Sequence, residues 1–140
     1  MLKNIISNGI LIAFFLLWNT GNAQETDSFE SLNAEEFYVK MNQEQDAVII
    51  DVRLDEDFKI KRIPGAVLAS EPDKLQEFTD SLDRNIPLLV YCYDGERSST
   101  ACEILSQELN FNFVYNLRKG LERWEELGFP VDKDKIDKIN

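Results

Sequence analysis

Cys92 lies near the end of an apolar run, 86-IPLLVYCY-93, and is followed within seven positions by Asp94, Gly95, Glu96, Arg97, Ser98 and Ser99. That order of residue types can make a stable thiolate. A strand that stops at a cysteine and turns tightly into a helix aims several backbone N–H groups at the sulfur, and the helix N-terminus adds partial positive charge. Such surroundings lower a thiol below its free value of about 8.5. Gly95 allows turn dihedrals closed to other residues. Arg97 offers a planar, permanently charged fork for an anionic substrate. Ser98 and Ser99 can cap the helix or supply further hydrogen bonds.

The chain contains no histidine. This excludes His-ligated metals, Cys–His pairs and Ser–His–Asp triads. No metal site and no cofactor are expected. A chemistry that begins from a preformed thiolate needs no general base. Sulfane-sulfur transfer is one: the thiolate attacks the outer sulfur of a donor, becomes a persulfide, and passes the sulfur to a nucleophilic acceptor. Taken locally, Cys92 can equally be a small buried hydrophobe. The second cysteine, Cys102, reads as a core residue on the sheet-facing side of the following helix. A Cys92–Cys102 disulfide, and a thiol redox role built on it, requires Cα atoms within about 7 Å.

The elements that must position these residues alternate in type. AVIIDV (47–52) and IPLLVYCY (86–93) are continuous apolar runs, as in strands buried on both faces. FNFVYN (111–116) is a third strand, and IPGAVLAS (63–70) holds a Pro-Gly turn with a short strand. Between them lie helical patterns. One begins near Ser31 or Asn33, with Phe37 and Met41 on a shared face. A short acidic helix falls in 54–62, and another starts at Pro72 with Leu75, Phe78 and Leu82 in register. The helix after Cys92 places Ala101, Cys102, Leu105 and Leu109 on one side, and the last carries Leu121, Trp124 and Leu127, with Gly128 as its stop. Buried strands alternating with helices predict an α/β domain on a mainly parallel sheet, with the functional site beyond the carboxyl ends of the strands.

The first 23 residues differ from the rest. A short n-region with one Lys precedes the nine apolar residues Ile10–Trp18, and Gly21 and Ala23 fit a cleavage site before Gln24. The apolar run falls short of the roughly 20 residues a membrane span needs. Export is therefore expected, to a periplasmic or secreted location, with no stable membrane anchor after cleavage. Residues 24–29 read as a mobile segment, 30–131 as the domain, and 132–140 as a charged tail, with Pro130 ending the folded part. The net charge of −11 at pH 7 argues against nucleic acid and anionic membranes as partners. A monomer is expected.

Three stretches resemble the rhodanese-like sulfurtransferase family. The segment 88-LLVYCYDGERSSTAC-102 is similar to its active-site pattern Cys-x-x-Gly-x-Arg-Ser. The stretch 49-IIDVRLDEDFKIKRIPGAVLA-69 is similar to its Asp-Val-Arg, short acidic helix, Ile-Pro-Gly-Ala signature. The ending 119-KGLERWEELGFPV-131 is similar to Gly-x-x-x-Trp followed by Gly, an apolar residue, Pro and Val. The resemblance implies a three-layer α/β/α sandwich on a five-stranded sheet. It implies that Cys92 carries the persulfide, that Cys92, Tyr93, Asp94, Gly95, Glu96 and Arg97 form the cradle, and that Arg97 binds the anion, with Ser98 a further substrate-binding candidate. Asp51 and Arg53 would be structural neighbours. The implied donors are a small sulfur-containing anion such as thiosulfate, or a persulfide; the acceptors are cyanide or a thiol. Related phosphatases use Cys-x5-Arg, one residue longer; here Cys-x4-Arg suits a single sulfur atom.

Two positions depart from the family pattern. Arg62 stands where a histidine is common. Asp94 and Glu96 put two acids into the cradle, which opposes thiolate formation and repels thiosulfate, subject to screening. The same fold also occurs as a non-catalytic binding module, the alternative that an intact Cys92, Gly95 and Arg97 argue against.

Overall fold

A computed structural model describes residues 28–134. The leader reading of residues 1–23, and residues 24–27 and 135–140, lie outside the described residues. Five strands form one wholly parallel sheet in the order β1-β5-β4-β2-β3. They are β1 (Glu30–Leu32), β2 (Val48–Asp51), β3 (Val67–Leu68), β4 (Leu88–Tyr91) and β5 (Val114–Leu117). Five helices join them: α1 (Ala34–Gln43), α2 (Asp55–Ile60), α3 (Pro72–Thr79), α4 (Glu96–Glu103) and α5 (Gly120–Glu126).

The period-two alternation of a strand sorts the sheet's side chains into two cores. Ile50, Leu88 and Val90 face one way and pack with Leu75 of α3 and Ala101 and Cys102 of α4. Ile49, Leu89 and Tyr91 face the other and pack with Phe37 of α1 and Leu121 and Trp124 of α5. This is the three-layer sandwich expected, and it explains the unbroken apolar runs Val48–Ile50 in β2 and Leu88–Tyr91 in β4. Trp124 is fully buried, meets Phe37 edge-to-face at 6.1 Å, and donates from Nε1 to the Pro130 carbonyl at 2.8 Å. An aromatic pair of this geometry adds about 0.5–1.5 kcal/mol beyond its buried area.

Local signals set the element ends. Asn33 caps α1: its Oδ1 accepts from Glu36 N at 2.8 Å, and the Glu36 carboxylate accepts from Asn33 N at the same distance. Pro72 lies in the first turn of α3, and Gly128, at φ +75°, ends α5. Beyond α4 the helix widens into a π-helical turn, Ile104–Glu108, so Leu105 remains buried while Leu109 is only partly covered.

The ordered chain extends further at both ends than the sequence indicates. β1, in a stretch with one buried residue (Leu32), pairs with β5 and completes the sheet. Three residues are too few to show a period. Ser28 and Phe29, read as the end of a mobile segment, are held: the Ser28 hydroxyl meets Ser106 Oγ at 2.9 Å, and Phe29 packs on the core. Pro130 does not end the fold. Arg62 and Asp132 exchange both backbone hydrogen bonds, at 2.9 and 2.8 Å, and Arg62 pairs with Asp134 at 2.8 Å. The charged tail is thus anchored where it begins, and Arg62 serves loop packing. Among the described residues, no helix is long and apolar enough to cross a membrane.

Candidate functional site

The carboxyl ends of β2, β4 and β5 meet above the sheet, and Cys92 is the first residue beyond β4. The chain then turns into α4 through Gly95, which adopts φ +94° as the helix N-cap. A Cβ on Gly95 would stand 2.2 Å from the Arg118 carbonyl oxygen, so glycine is required by space as well as by dihedral angle. The carbonyl groups on the far side of the loop are also held. Leu121 N donates to the Cys92 carbonyl at 2.9 Å, and Glu122 N to the Tyr93 carbonyl at 3.0 Å, both from the first turn of α5.

Two amide donors and one hydroxyl converge on the sulfur. Gly95 N, Ser98 N and the Ser98 hydroxyl lie 3.2, 3.4 and 3.3 Å from Cys92 Sγ. The sulfur itself lies 3.6 Å from Asp94 Oδ1, close enough for a thiol proton to be shared with that carboxylate. Cys92 is only 3% exposed and opens to solvent through a pocket of about 310 Å³ lined by Arg53, Asp57, Tyr93, Asp94, Glu96 and Arg97.

The cradle residues named from sequence fall into distinct places. Gly95 and Ser98 are buried against the sulfur. Ser98 does not cap the helix; its side chain faces inward. Tyr93 is half exposed, and its hydroxyl meets Glu122 Oε1 at 3.2 Å, whose charge holds the phenol above its ordinary value. Asp94 accepts from Glu96 N at 3.0 Å, and that bond holds its carboxyl below the ordinary range. Glu96 and Arg97 are exposed at the rim. Arg97 Nη1 reaches the Val52 carbonyl at 3.5 Å rather than folding over the sulfur.

Asp51 and Arg53 form a buried ion pair. Arg53 donates from its backbone N and its guanidinium to the Asp51 carboxylate, the shortest contact being 2.7 Å, and also to the Lys61 carbonyl at 2.6 Å. Burial alone would lower the Arg53 guanidinium, but its contacts with Asp51 outweigh that and raise it. The pair ties the β2–α2 turn to the loop before β3. Tyr91 supports the same corner: its hydroxyl accepts from Ile63 N at 3.0 Å, and burial pushes its pKa up.

Asn116 escaped the sequence reading. It is 3% exposed, one residue before the end of β5; its Oδ1 accepts from Ser98 Oγ at 2.6 Å and its Nδ2 donates to the Gly95 carbonyl at 3.2 Å. A polar residue inside an otherwise apolar strand was the available signal. Gly120 was also missed as a packing residue: at φ +59°, a Cβ there would meet the Tyr93 carbonyl oxygen at 2.2 Å.

Cys92 and Cys102 are both free thiols. Cys102 is fully buried in the α3–α4 core, and burial pushes its thiol well above the ordinary value. A protonated, enclosed thiol is a poor redox partner.

A strand-end cysteine seated in amide donors at a helix N-terminus, above a parallel three-layer sandwich, defines a cysteine-loop α/β domain. The chain belongs to the rhodanese-like domain family, whose model matches residues 33–127. It is 37% identical over 81 residues to the thiosulfate sulfurtransferase GlpE of Coxiella burnetii, covering 58% of this chain and 74% of that protein. Among solved structures it is similar to a rhodanese-related protein from Thermoplasma volcanium, with a TM-score of 0.62 and 29% identity over 74% of this chain and 98% of the other. A rhodanese-like domain protein from Staphylococcus aureus aligns with a TM-score of 0.61 and 26% identity, over 76% and 99% of the two chains.

Proposed function

We propose that this chain is a sulfurtransferase that carries sulfane sulfur as a Cys92 persulfide. The observation that carries the reading is the convergence of Gly95 N, Ser98 N and Ser98 Oγ on Cys92 Sγ. Two fixed amides and a rotatable hydroxyl can hold a charged sulfur without a general base. The likeness to a curated thiosulfate sulfurtransferase supports the same chemistry.

The Cys92 thiolate forms a bond to the outer sulfur of the donor. The donor's sulfur–sulfur bond breaks, and the electron pair leaves with sulfite when the donor is thiosulfate. Cyanide or a thiolate then attacks the terminal sulfur, and Cys92 departs as thiolate. The pocket at Cys92 is open to small molecules, and Arg97 at its rim supplies the cation for an approaching anion. The apolar run at 10–18 supports an exported setting for this transfer.

Intact mass before and after a sulfur donor tests the reading. Cys92 gains one sulfur, about 32 Da, which cyanide removes and which Cys92→Ser never acquires. Absence of that gain with both thiosulfate and a persulfide donor, on a protein whose thiol is shown to be free, overturns it in favour of a non-catalytic binding module.

A further inference from the structure

The sheet is open along β1, which pairs with β5 on one side and stands at the end of the strand order. In a parallel ladder each paired residue directs its N–H and C=O to one side, and alternate residues direct them to opposite sides. Arg118 N donates to the Leu32 carbonyl at 2.9 Å, so Leu32 and Glu30 turn toward β5 and Ser31 turns away from it. Among the described residues, no backbone hydrogen bond outside the ladder reaches Ser31. An edge strand with a free donor and acceptor is a template for another strand.

A shallow cavity of about 790 Å³ runs along this edge. Phe29, Phe113 and Tyr115 line it toward the amino end of β1, and Phe113 is half exposed. Glu30 is level with Tyr115, and Lys40 Nζ sits 4.6 Å over that ring, so this end holds charges of both signs. Arg118 lines the carboxyl end, level with Asn33 and roughly 10 Å further along at the rise of a strand. Its side chain is exposed and has no ion pair among the described residues. The Glu36 carboxylate at that end is held by Asn33 N at 2.8 Å. The cavity therefore joins an unpaired strand edge, an aromatic wall at one end and a cation at the other.

We propose that the β1 edge binds the free C-terminal end of an extended peptide, added to the sheet as a further parallel strand. A parallel strand carries its terminal carboxylate to Arg118, whereas a reversed one would bring its terminal ammonium against the guanidinium. The ladder fixes the register. With the terminal residue level with Arg118, the residue two before it lies opposite Ser31. The penultimate N–H donates to the Ser31 carbonyl, and Ser31 N donates to the carbonyl of the residue three before the terminus. That last residue is level with Glu30, so its side chain falls on the Tyr115 face, where an apolar or aromatic group fits. This site lies on the sheet edge and stands independently of sulfur transfer.

Binding of N-acetylated Ser-Thr-Phe-Thr-Ser-Val to the full chain tests the proposal. The free acid shifts the Ser31 amide NMR signal at millimolar concentration. Its C-terminal amide binds about tenfold more weakly, and so does the free acid to Arg118→Gln. N-methylation of the penultimate residue abolishes binding, while N-methylation of the residue before it, whose N–H points away from β1, leaves affinity unchanged. Ser31→Pro removes the outward N–H, a change an edge strand tolerates. It abolishes binding and leaves the Cys92 alkylation rate as it was. If Ser31→Pro does not fold, the two N-methylated peptides carry the same test. A Ser31 signal that does not move at millimolar free acid overturns the proposal, as does affinity indifferent to both amidation and N-methylation. A concentration-dependent dimer by light scattering that the peptide does not dissociate also overturns it, and assigns the edge to a second copy of the chain.

Discussion

Ser98 Oγ stands 2.6 Å from Asn116 Oδ1 and 3.3 Å from Cys92 Sγ, and the hydroxyl has one proton for both. The Asn116 amide cannot turn over, because its Nδ2 donates to the Gly95 carbonyl. The shorter contact takes the Ser98 proton, so the resting hydroxyl offers the sulfur a lone pair. Asn116 is therefore a positioning residue that holds the Ser98 proton away from the sulfur.

Asn116→Leu removes that hold. The Ser98 hydroxyl is then free to donate to Cys92, and one added hydrogen bond of about 1 kcal/mol raises alkylation by iodoacetamide at pH 7 about fivefold. Loss of the contacts with Ser98 and Gly95 lowers stability by about 1–3 kcal/mol. Denaturant melts and alkylation followed by mass read the two effects separately. An unchanged or slower rate in a folded variant sinks the assignment.

The Asp94 carboxylate is the second brake. It lies 3.6 Å from the sulfur and faces any incoming anion. Asp94→Asn keeps an oxygen for Glu96 N, so the turn survives while the charge goes. Loading by thiosulfate rises about threefold or more at low ionic strength, and the gain shrinks as salt screens the pocket. The carboxyl is held below its ordinary range, chiefly by the Glu96 amide. It stays ionised from mildly acidic pH upward, so the variant's advantage is constant from about pH 6 to 9. An advantage that grew steadily with pH over that window would assign the brake to another group.

How much of this was legible before folding follows from where each signal resides. β2 and β4 announced themselves because both of their faces are buried, leaving continuous apolar runs at Val48–Ile50 and Leu88–Tyr91. Cys92, Gly95 and Ser98 lie within one turn, so their association is local. Asn116 and Gly120 belong to the site only because β5 lies beside β4 and α5 folds over the loop. That adjacency joins residues 18 to 28 positions apart and leaves no trace in local spacing. β1 was unreadable for another reason: only Leu32 of its three residues is buried.

The Asp51–Arg53 pair makes a prediction about stability. Asp51 is fully buried and its carboxylate is held by Arg53. Arg53→Leu leaves that carboxylate without its cation, and breaking such a pair costs about 3–5 kcal/mol. Replacing both residues, Asp51→Leu with Arg53→Leu, removes the uncompensated charge and recovers much of the loss. Urea unfolding of the two single variants and the double variant measures this. A double variant as unstable as the sum of the singles would show that the pair acts through loop connections and not through charge.

Gly120 supplies the sharpest contrast. It and Gly65 both have positive φ, +59° and +80°, so alanine strains the backbone at either by about 1–2 kcal/mol. At Gly65 an added Cβ meets nothing within 4 Å. At Gly120 it would fall 2.2 Å from the Tyr93 carbonyl oxygen and 2.6 Å from Asp94 N, both rigid backbone atoms of the cysteine loop. The first amides of α5 also donate to the Cys92 and Tyr93 carbonyls, so the clash pushes apart two elements joined by hydrogen bonds. Gly120→Ala therefore costs about 3 kcal/mol or more, against about 1–2 for Gly65→Ala. It also slows Cys92 persulfide formation in the protein that remains folded, since Gly95 N and Ser98 N no longer converge on the sulfur. Denaturant midpoints and loading rates for the two variants decide the matter. Equal losses at both positions would mean that the loop and α5 yield to the methyl group, and that Gly120 answers only to its dihedral angles.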